Sequence, residues 1–301
     1  MRRRRWVQGK GALAQVFHLE VYVRQPVLVL SILGLSLICG GPSHAQGQTR
    51  PSVSEDQLVE YYVQLAFGSE FDFLDVSSPG DLIVKRDQAI EVNIVPLPQP
   101  SVGLDETSPL VRQVAEQIAA RSGGVRLKTL TMDEMAAILR QGDEAWKAIL
   151  PDSVLVNIGN RNELQESLEK YGANPVIDQM YKGTFAPPLN AEFPLCLSWA
   201  AGRGRGSPFI GAAVVWVENG PALEECLYEE IMQSFGIAND LPDGTPSIFS
   251  DDRKYRVPTS MDWWLWRIHT DPRIEVGMNV DEVRVMARKI LEEIGGFSDV
   301  E

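Results

Sequence analysis

From residue 54 onward, apolar and polar positions alternate in a way that marks out a succession of helices and strands. "SEDQLVEYYVQLAFG" predicts a helix with Ser54 as N-cap, Gln57 at the capping-box position and Gly68 as its stop. In "DLIVKRDQAIEVNIVPLP", Ile90, Val92 and Ile94 alternate with polar neighbours. That pattern predicts a strand pair or one long bent strand, ended by Pro96 and Pro98. Leu110, Val111, Val114 and Ile118 line one side of a helix over "SPLVRQVAEQIAARSGG", which Gly123–Gly124 stop. A short strand "VRLKTLT", a short helix "DEMAAILRQ", a buried strand "SVLVNIG" and the helix "RNELQESLEKYG" follow.

"PLCLSWAAGRGRGSPFIGAAVVWVENG" reads as two strands around the turn "GRGRGS". No helix follows that glycine-rich turn closely, so it is read as a hairpin turn rather than a phosphate cradle. Helices then cover Ala222 to about Phe235, "TSMDWWLWRIHTDPRI" up to Pro272, and "NVDEVRVMARKILEEIGG", with Asn279 as cap and Glu282 three residues on. The order implies a single α/β (or α+β) domain over residues 55–301, with a mixed sheet, packed helices and a helical C-terminal segment.

The first 45 residues belong to a different pattern. Arg2 to Arg5, Lys10 and Arg24 precede the apolar run "PVLVLSILGLSLICGG", and Ser43 and Ala45 occupy the small-x-small positions of a cleavage site. Charged, apolar, then small is the signature of an export signal. The run is also short for a membrane span, which needs about 20 apolar residues. Cleavage after Ala45 is expected, giving a periplasmic or secreted chain with a loose segment at 46–54; an uncleaved anchor is the alternative. Residues 1–45 hold six Lys/Arg and one Glu, so cleavage takes the formal net charge from −13 to −18. Such acidity excludes nucleic acid and anionic lipid as natural partners, because binding phosphate relies on Lys and Arg. Cys196 and Cys226 survive cleavage. In an oxidising compartment a lone cysteine pair is expected as a disulfide, contributing about 3–4 kcal/mol for a loop of this length.

The candidate chemistry lies in "CLYEEIMQSFGIANDLPDG". At about 100° per residue, Leu223, Leu227, Ile231, Ser234 and Phe235 share one helix face, with Glu230 between Cys226 and Ser234 on that side. Glu229 and Gln233 lie beside it, one turn apart. Gly236 stops the helix, and Asn239 and Asp240 follow the turn. Zinc sites rely on His nitrogen and Cys sulfur. The sequence has three histidines, His18, His44 and His269, of which the first two leave with the leader. A three-histidine zinc site is therefore excluded in the mature chain. Glu229, Gln233 and Asn239 offer only oxygen, and one carboxylate among three makes a poor site even for Ca²⁺ or Mg²⁺. No metal and no cofactor is expected. Glu230, a carboxylate on the core side, is either a general base or a residue that pins the turn; without a metal to activate water the second reading is favoured. A Ser-His-Asp triad would need His269, inside a Trp-rich helix where core packing is the ordinary role.

The segments "CLYEEIMQSFGIAND…PSIFSDD", "LAFGSEF" and "DPRIEVGMNVDEVRVMA", together with the Cys196 region, resemble a bacterial family catalogued as domain of unknown function 2927. That family in turn resembles the metzincin metalloproteases, which carry H-E-x-x-H-x-x-G-x-x-H and a later methionine turn. Glu229, Gln233 and Asn239 stand at the histidine positions, Glu230 and Gly236 match, and Phe249 stands near the methionine. The resemblance implies a protease-like fold whose zinc ligands are replaced by oxygen-bearing side chains. The expected function is non-catalytic binding of a protein, peptide or envelope component. The alternative is a hydrolase of unfamiliar type using Glu230 and Asp240 with a hard cation.

Overall fold

The computed structural model describes residues 53–67, 82–87, 91–171, 194–202, 209–250, 252 and 254–294. All of them fall in one compact unit, Val53–Glu301. The expected leader and its cleavage site, the stop at Gly68, Ile90 and most of the "GRGRGS" turn lie outside the described residues. Among the described residues no helix is long and apolar enough to cross a membrane.

Eight α-helices and six strands are described. They are α1 (Glu55–Phe67), β1 (Lys85–Arg86), β2 (Glu91–Pro98), α2 (Leu104–Ala120), β3 (Arg126–Thr129), α3 (Met132–Gln141) and α4 (Asp143–Ile149). After a 3₁₀ turn come β4 (Ser153–Gly159), α5 (Arg161–Tyr171), β5 (Cys196–Gly202) and β6 (Phe209–Glu218). The chain continues with α6 (Leu223–Gln233), α7 (Ser260–His269) and α8 (Val280–Glu293). The fold is α/β, as the order of elements implied. The sheet runs β3-β2-β4-β6 with all neighbours parallel, β1 adds in parallel to β6, and β5 pairs with β6 antiparallel. Every residue of the central strand β4 is buried, as expected for a parallel strand covered on both faces.

Three expectations are corrected. First, β1 and β2 do not form a pair or one bent strand, since β1 joins β6 while β2 lies between β3 and β4. Second, Pro96 lies within β2, and only Pro98, its last residue, stands where the strand ends. The reason is the direction of the missing N–H groups. The Ile94 carbonyl accepts from Leu130 on the β3 side, and Gln99 donates to Ile158 on the β4 side. Even-numbered backbone groups of β2 therefore face β3, whose last paired residue, Thr129, stands opposite Ile94. Pro96 and Pro98 face the strip beyond that end, where no ladder bond is lost. Third, α2 begins at Leu104 with Pro109 inside it, earlier than "SPLVRQ" suggested. Its first turn is closed by Thr107, whose Oγ1 donates to the Gly103 carbonyl at 3.3 Å. The helix α4 is an addition to the expected elements: Gly142, at φ 91°, separates it from α3, and Trp146 anchors it in the core.

The capping boxes predicted at Ser54–Gln57 and Asn279–Glu282 are formed, with reciprocal bonds of 3.0–3.2 Å and 2.9–3.1 Å. α1 and α8 then pack together, and Arg284 and Arg288 of α8 pair with Glu60 and Asp56 of α1 at the surface.

Two adjacent cations in β1 hold the ends of two core helices. Lys85 and Arg86 are each only 4% exposed. Lys85 Nζ donates to the carbonyls of His269 (2.7 Å), Ile274 (2.8 Å) and Asp271 (3.3 Å), at the C-terminus of α7. Arg86 donates to the carbonyls of Ser234 at the end of α6 (3.1 Å), Ser153 (3.3 Å) and Gly211, with its guanidinium over the Phe235 ring. Terminal helix carbonyls lack intrahelical partners and carry the negative end of the dipole, so a buried cation is well placed there. Burial still tells on Lys85: it lowers the ammonium's pKa to about 8, against the pull of Asp271. Replacing Lys85 with Met leaves buried carbonyls without donors. Lys85→Met is expected to lower the unfolding free energy by about 3 kcal/mol or more. Urea denaturation measures this, and a loss below about 1 kcal/mol would show that the carbonyls do not depend on the ammonium.

Candidate functional site

The helix α6 leaves the β5–β6 hairpin and packs between that edge of the sheet and α2. Its burial exceeds that of an ordinary amphipathic helix. Leu223, Cys226, Leu227, Tyr228, Ile231 and Met232 are buried, and so are Glu225, Glu230 and Gln233. The start of α6 is fixed covalently, because Cys226 and Cys196, the first residue of β5, form a disulfide with Cα atoms 5.6 Å apart, at the usual spacing for such a bridge.

At the other end, Gly236 takes φ 115°. Two constraints select glycine there. A positive φ is costly for residues with a Cβ, and a Cβ at this position would collide with the Val84 carbonyl oxygen next to β1. The chain then reverses against the C-terminal turn of α1. Ala238 N–H donates to the Leu65 carbonyl (3.0 Å), Asn239 Nδ2 to the Gln64 carbonyl (3.2 Å), and Gln64 Nε2 to the Asp240 carbonyl (2.8 Å). Gln64 thus answers the turn with both its backbone and its side chain.

The site residues expected from the sequence are now placed. Glu230 is 4% exposed and Gln233 8% exposed, while Glu229, Asn239 and Asp240 are half-buried. Gln233 Oε1 lies 3.5 Å from Ser198 Oγ of β5, a long contact that directs the amide toward the sheet. Asn239 is directed toward α1 instead. The two amides therefore belong to different neighbours. Among the described residues no group of three His, Cys, Asp or Glu side chains is arranged to hold a metal ion. Phe249, at the position compared with the methionine turn, is fully buried, and its carbonyl accepts from Leu241 N–H at 2.7 Å.

His269, the last residue of α7, reaches the base of this turn inside the core, between α1 and the end of α6. Its Nε2 is 2.9 Å from the Phe235 carbonyl and its Nδ1 3.2 Å from the Tyr62 hydroxyl. A carbonyl only accepts, so Nε2 carries the hydrogen and Nδ1 receives the tyrosine's. Burial, and then the charge of Lys85, lower the imidazole's pKa to about 3, keeping it neutral. Both nitrogens are committed to the fold, which leaves none for a triad.

Residues that the sequence reading did not single out are Gln64, Ser198, Lys85 and Arg86. The cation pair had a signal, two adjacent charges inside the apolar stretch "LIVKRDQAI". Gln64 and Ser198 had none, since each acts through a contact distant in sequence.

Two variants test this construction. Gly236→Ala is expected to cost about 3 kcal/mol or more, combining a strained φ with the clash at Val84. Removing the disulfide with Cys196→Ser and Cys226→Ser together is expected to cost about 3–4 kcal/mol by loop-closure entropy. Thermal denaturation with and without reductant checks both, and reductant should leave the double variant's midpoint unchanged.

No curated protein and no solved structure matches the chain. A family model described as "Protein of unknown function (DUF2927)" matches residues 55–289, from the start of α1 into α8. The chain belongs to that DUF2927 family.

Proposed function

We propose that this chain is an exported, metzincin-like domain without zinc, periplasmic or secreted, that works by binding a protein, peptide or envelope component. The observation that carries the reading is the chemistry at the ligand positions. Gln233 and Asn239, which match histidines of the metzincin pattern, are amides turned toward Ser198 and the Gln64 carbonyl. Amide oxygens at two of the three positions, with one carboxylate at the third, make a weak zinc site, and both nitrogens of His269 are taken up by Tyr62 and the Phe235 carbonyl. Further support comes from the parts of the pattern that shape the backbone. Glu230 lies on the core side of α6, and Gly236 reverses the chain at positive φ. On this reading the helix and turn serve as a scaffold, and recognition is passive.

A second reading keeps Glu230 and Asp240 as the acid-base pair of a hydrolase assisted by a hard cation. It is favoured by the place of Glu230, 4% exposed on the core side of α6 at the position matching the general base of the metzincin pattern. One experiment separates the two. Purified protein and its Glu230→Gln variant are incubated with a mixed peptide library, with and without Ca²⁺ or Mg²⁺, and bound metal is counted by elemental analysis. The binding reading expects no cleavage above buffer by either protein and no stoichiometric metal. Cleavage that Glu230→Gln abolishes, accompanied by a bound cation, would overturn it in favour of the hydrolase.

A further inference from the structure

The sheet ends at β3, on the side opposite β5 and β6. Leu130 N–H donates to the Ile94 carbonyl, so the even-numbered backbone groups of β3 face β2 and the odd-numbered ones face outward. Two outward positions are closed by local turns. Val125 N–H donates to Ser122 Oγ (2.9 Å). Thr131 N–H donates to Glu134 Oε2 (2.8 Å), and the Thr131 carbonyl accepts from Met135 N–H (2.9 Å). Between these two, the N–H and carbonyl groups of Leu127 and Thr129 have no partner among the described residues. An unpaired row of this kind is a template for another strand.

Side chains alternate across this edge. Leu127 packs against the main core, while Arg126 and Lys128, on the other face, are exposed. The stretch "RSGGVRLKTL" (121–130) holds Arg121, Arg126 and Lys128 and no acid, in a chain whose net charge is −13. Glu91 of β2 stands beside Arg126 on the inner side. Lys128 pairs with Glu134 of α3 at 2.8 Å, with the two side chains 45% and 39% exposed. A surface pair of this kind contributes less than about 1 kcal/mol and exchanges readily with an incoming carboxylate. At about 0.1 M salt, charges more than about 10 Å away are largely screened, so the bases of the edge act there ahead of the chain's distant acids.

We propose that the outer edge of β3 is a docking site for an extended acidic segment of a partner protein, which joins the sheet as a further strand. This gives a surface and a partner chemistry to the binding module proposed above, and it rests on that reading. Leu127 and Thr129 offer both their N–H and their carbonyl groups to the incoming backbone. Acidic residues at every second position of the segment stand beside Arg126 and Lys128. The β-branched apolar residues between them stand beside Leu127 and Thr129, at the margin of the core. The same charges turn away a second copy of the chain. Two β3 edges would set Arg126 and Lys128 against the same bases of the other copy, and like charges opposite one another destabilise a pair.

The probe is a short peptide of alternating Glu and Val, blocked at both ends, with a Gln–Val peptide of the same length as control. Fluorescence anisotropy of the labelled peptides measures binding to the purified protein, and amide hydrogen exchange by NMR reads where the peptide lies. Two variants accompany the wild type. Thr129→Pro removes an outward N–H and breaks no bond to β2, because Thr129 N–H faces away from it. Arg126→Glu combined with Lys128→Glu reverses the charge of the edge through two exposed side chains.

The Glu–Val peptide is expected to bind about tenfold or more tightly than the Gln–Val peptide and to slow exchange at the Leu127 and Thr129 amides. Each variant is expected to lose about tenfold or more of that affinity. No binding of the Glu–Val peptide, or equal affinity for the two peptides, would overturn the proposal. So would slowed exchange at Leu127 and Thr129 when the protein is concentrated without peptide, since that assigns the edge to a second copy. Binding that leaves those two amides unchanged overturns the β3 site while the binding-module reading stands. Cleavage of the bound peptide overturns that reading and the proposal with it, so the two failures are told apart. If Thr129→Pro does not fold, the charge reversal and the wild-type exchange decide.

Discussion

Two buried cations on one short strand determine how the helical half of this domain meets its sheet. Lys85 collects the carbonyls at and beyond the end of α7, and Arg86 joins the Ser234 carbonyl at the end of α6, shortly before the Gly236 turn, to the Ser153 and Gly211 carbonyls of the sheet. Charged hydrogen bonds of this kind contribute about 1.5–3 kcal/mol each when fully formed. A two-residue strand has little pairing energy of its own, so β1 is defined by what its side chains bind. The same segment supplies the Val84 carbonyl that leaves no room for a Cβ at Gly236. The position of β1, the ends of two helices and the turn of the candidate site are therefore one construction.

That construction also explains which parts of the molecule were legible in the sequence. Local signals were read correctly where the physics is local. Ser54–Gln57 and Asn279–Glu282 are capping boxes because a side chain three residues away satisfies an orphan N–H. "SVLVNIG" is a buried strand because a central parallel strand is covered on both faces. Pairing was not local, and there the pattern misled. "DLIVKRDQAIEVNIVPLP" looked like a self-paired unit, whereas its two strands have separate partners, and its prolines are tolerated because β3 ends at Thr129. The cations inside that stretch interrupt the apolar pattern. Their purpose appears only when the ends of α6 and α7 arrive beside them.

The same division holds at the candidate site. Glu230 on the core side of α6, the glycine turn at Gly236 and the pairing of Cys196 with Cys226 were foreseeable from the sequence. The partners of Gln233 and Asn239 were not, because Ser198 and Gln64 come from a strand and a helix far away in sequence. A ligand-like spacing on a helix fixes where side chains start. Their neighbours decide whether those side chains converge on an ion or on the protein.

His269 shows how the absence of ligands and the stability of the core are linked. Its two nitrogens join Tyr62 of α1 to the Phe235 carbonyl just past α6, and its ring stacks on Trp266. Burial and the charge of Lys85 both favour the neutral ring, and Lys85 in turn is held by the backbone carbonyl of His269 itself. Freeing this histidine for a metal or a proton relay would leave a tyrosine hydroxyl and a helix-end carbonyl buried without partners. Each such group costs about 1–3 kcal/mol. Two of them would consume a large share of the 5–15 kcal/mol by which a domain is typically stable. The fold thus keeps the His269 imidazole as a structural hydrogen-bonding group.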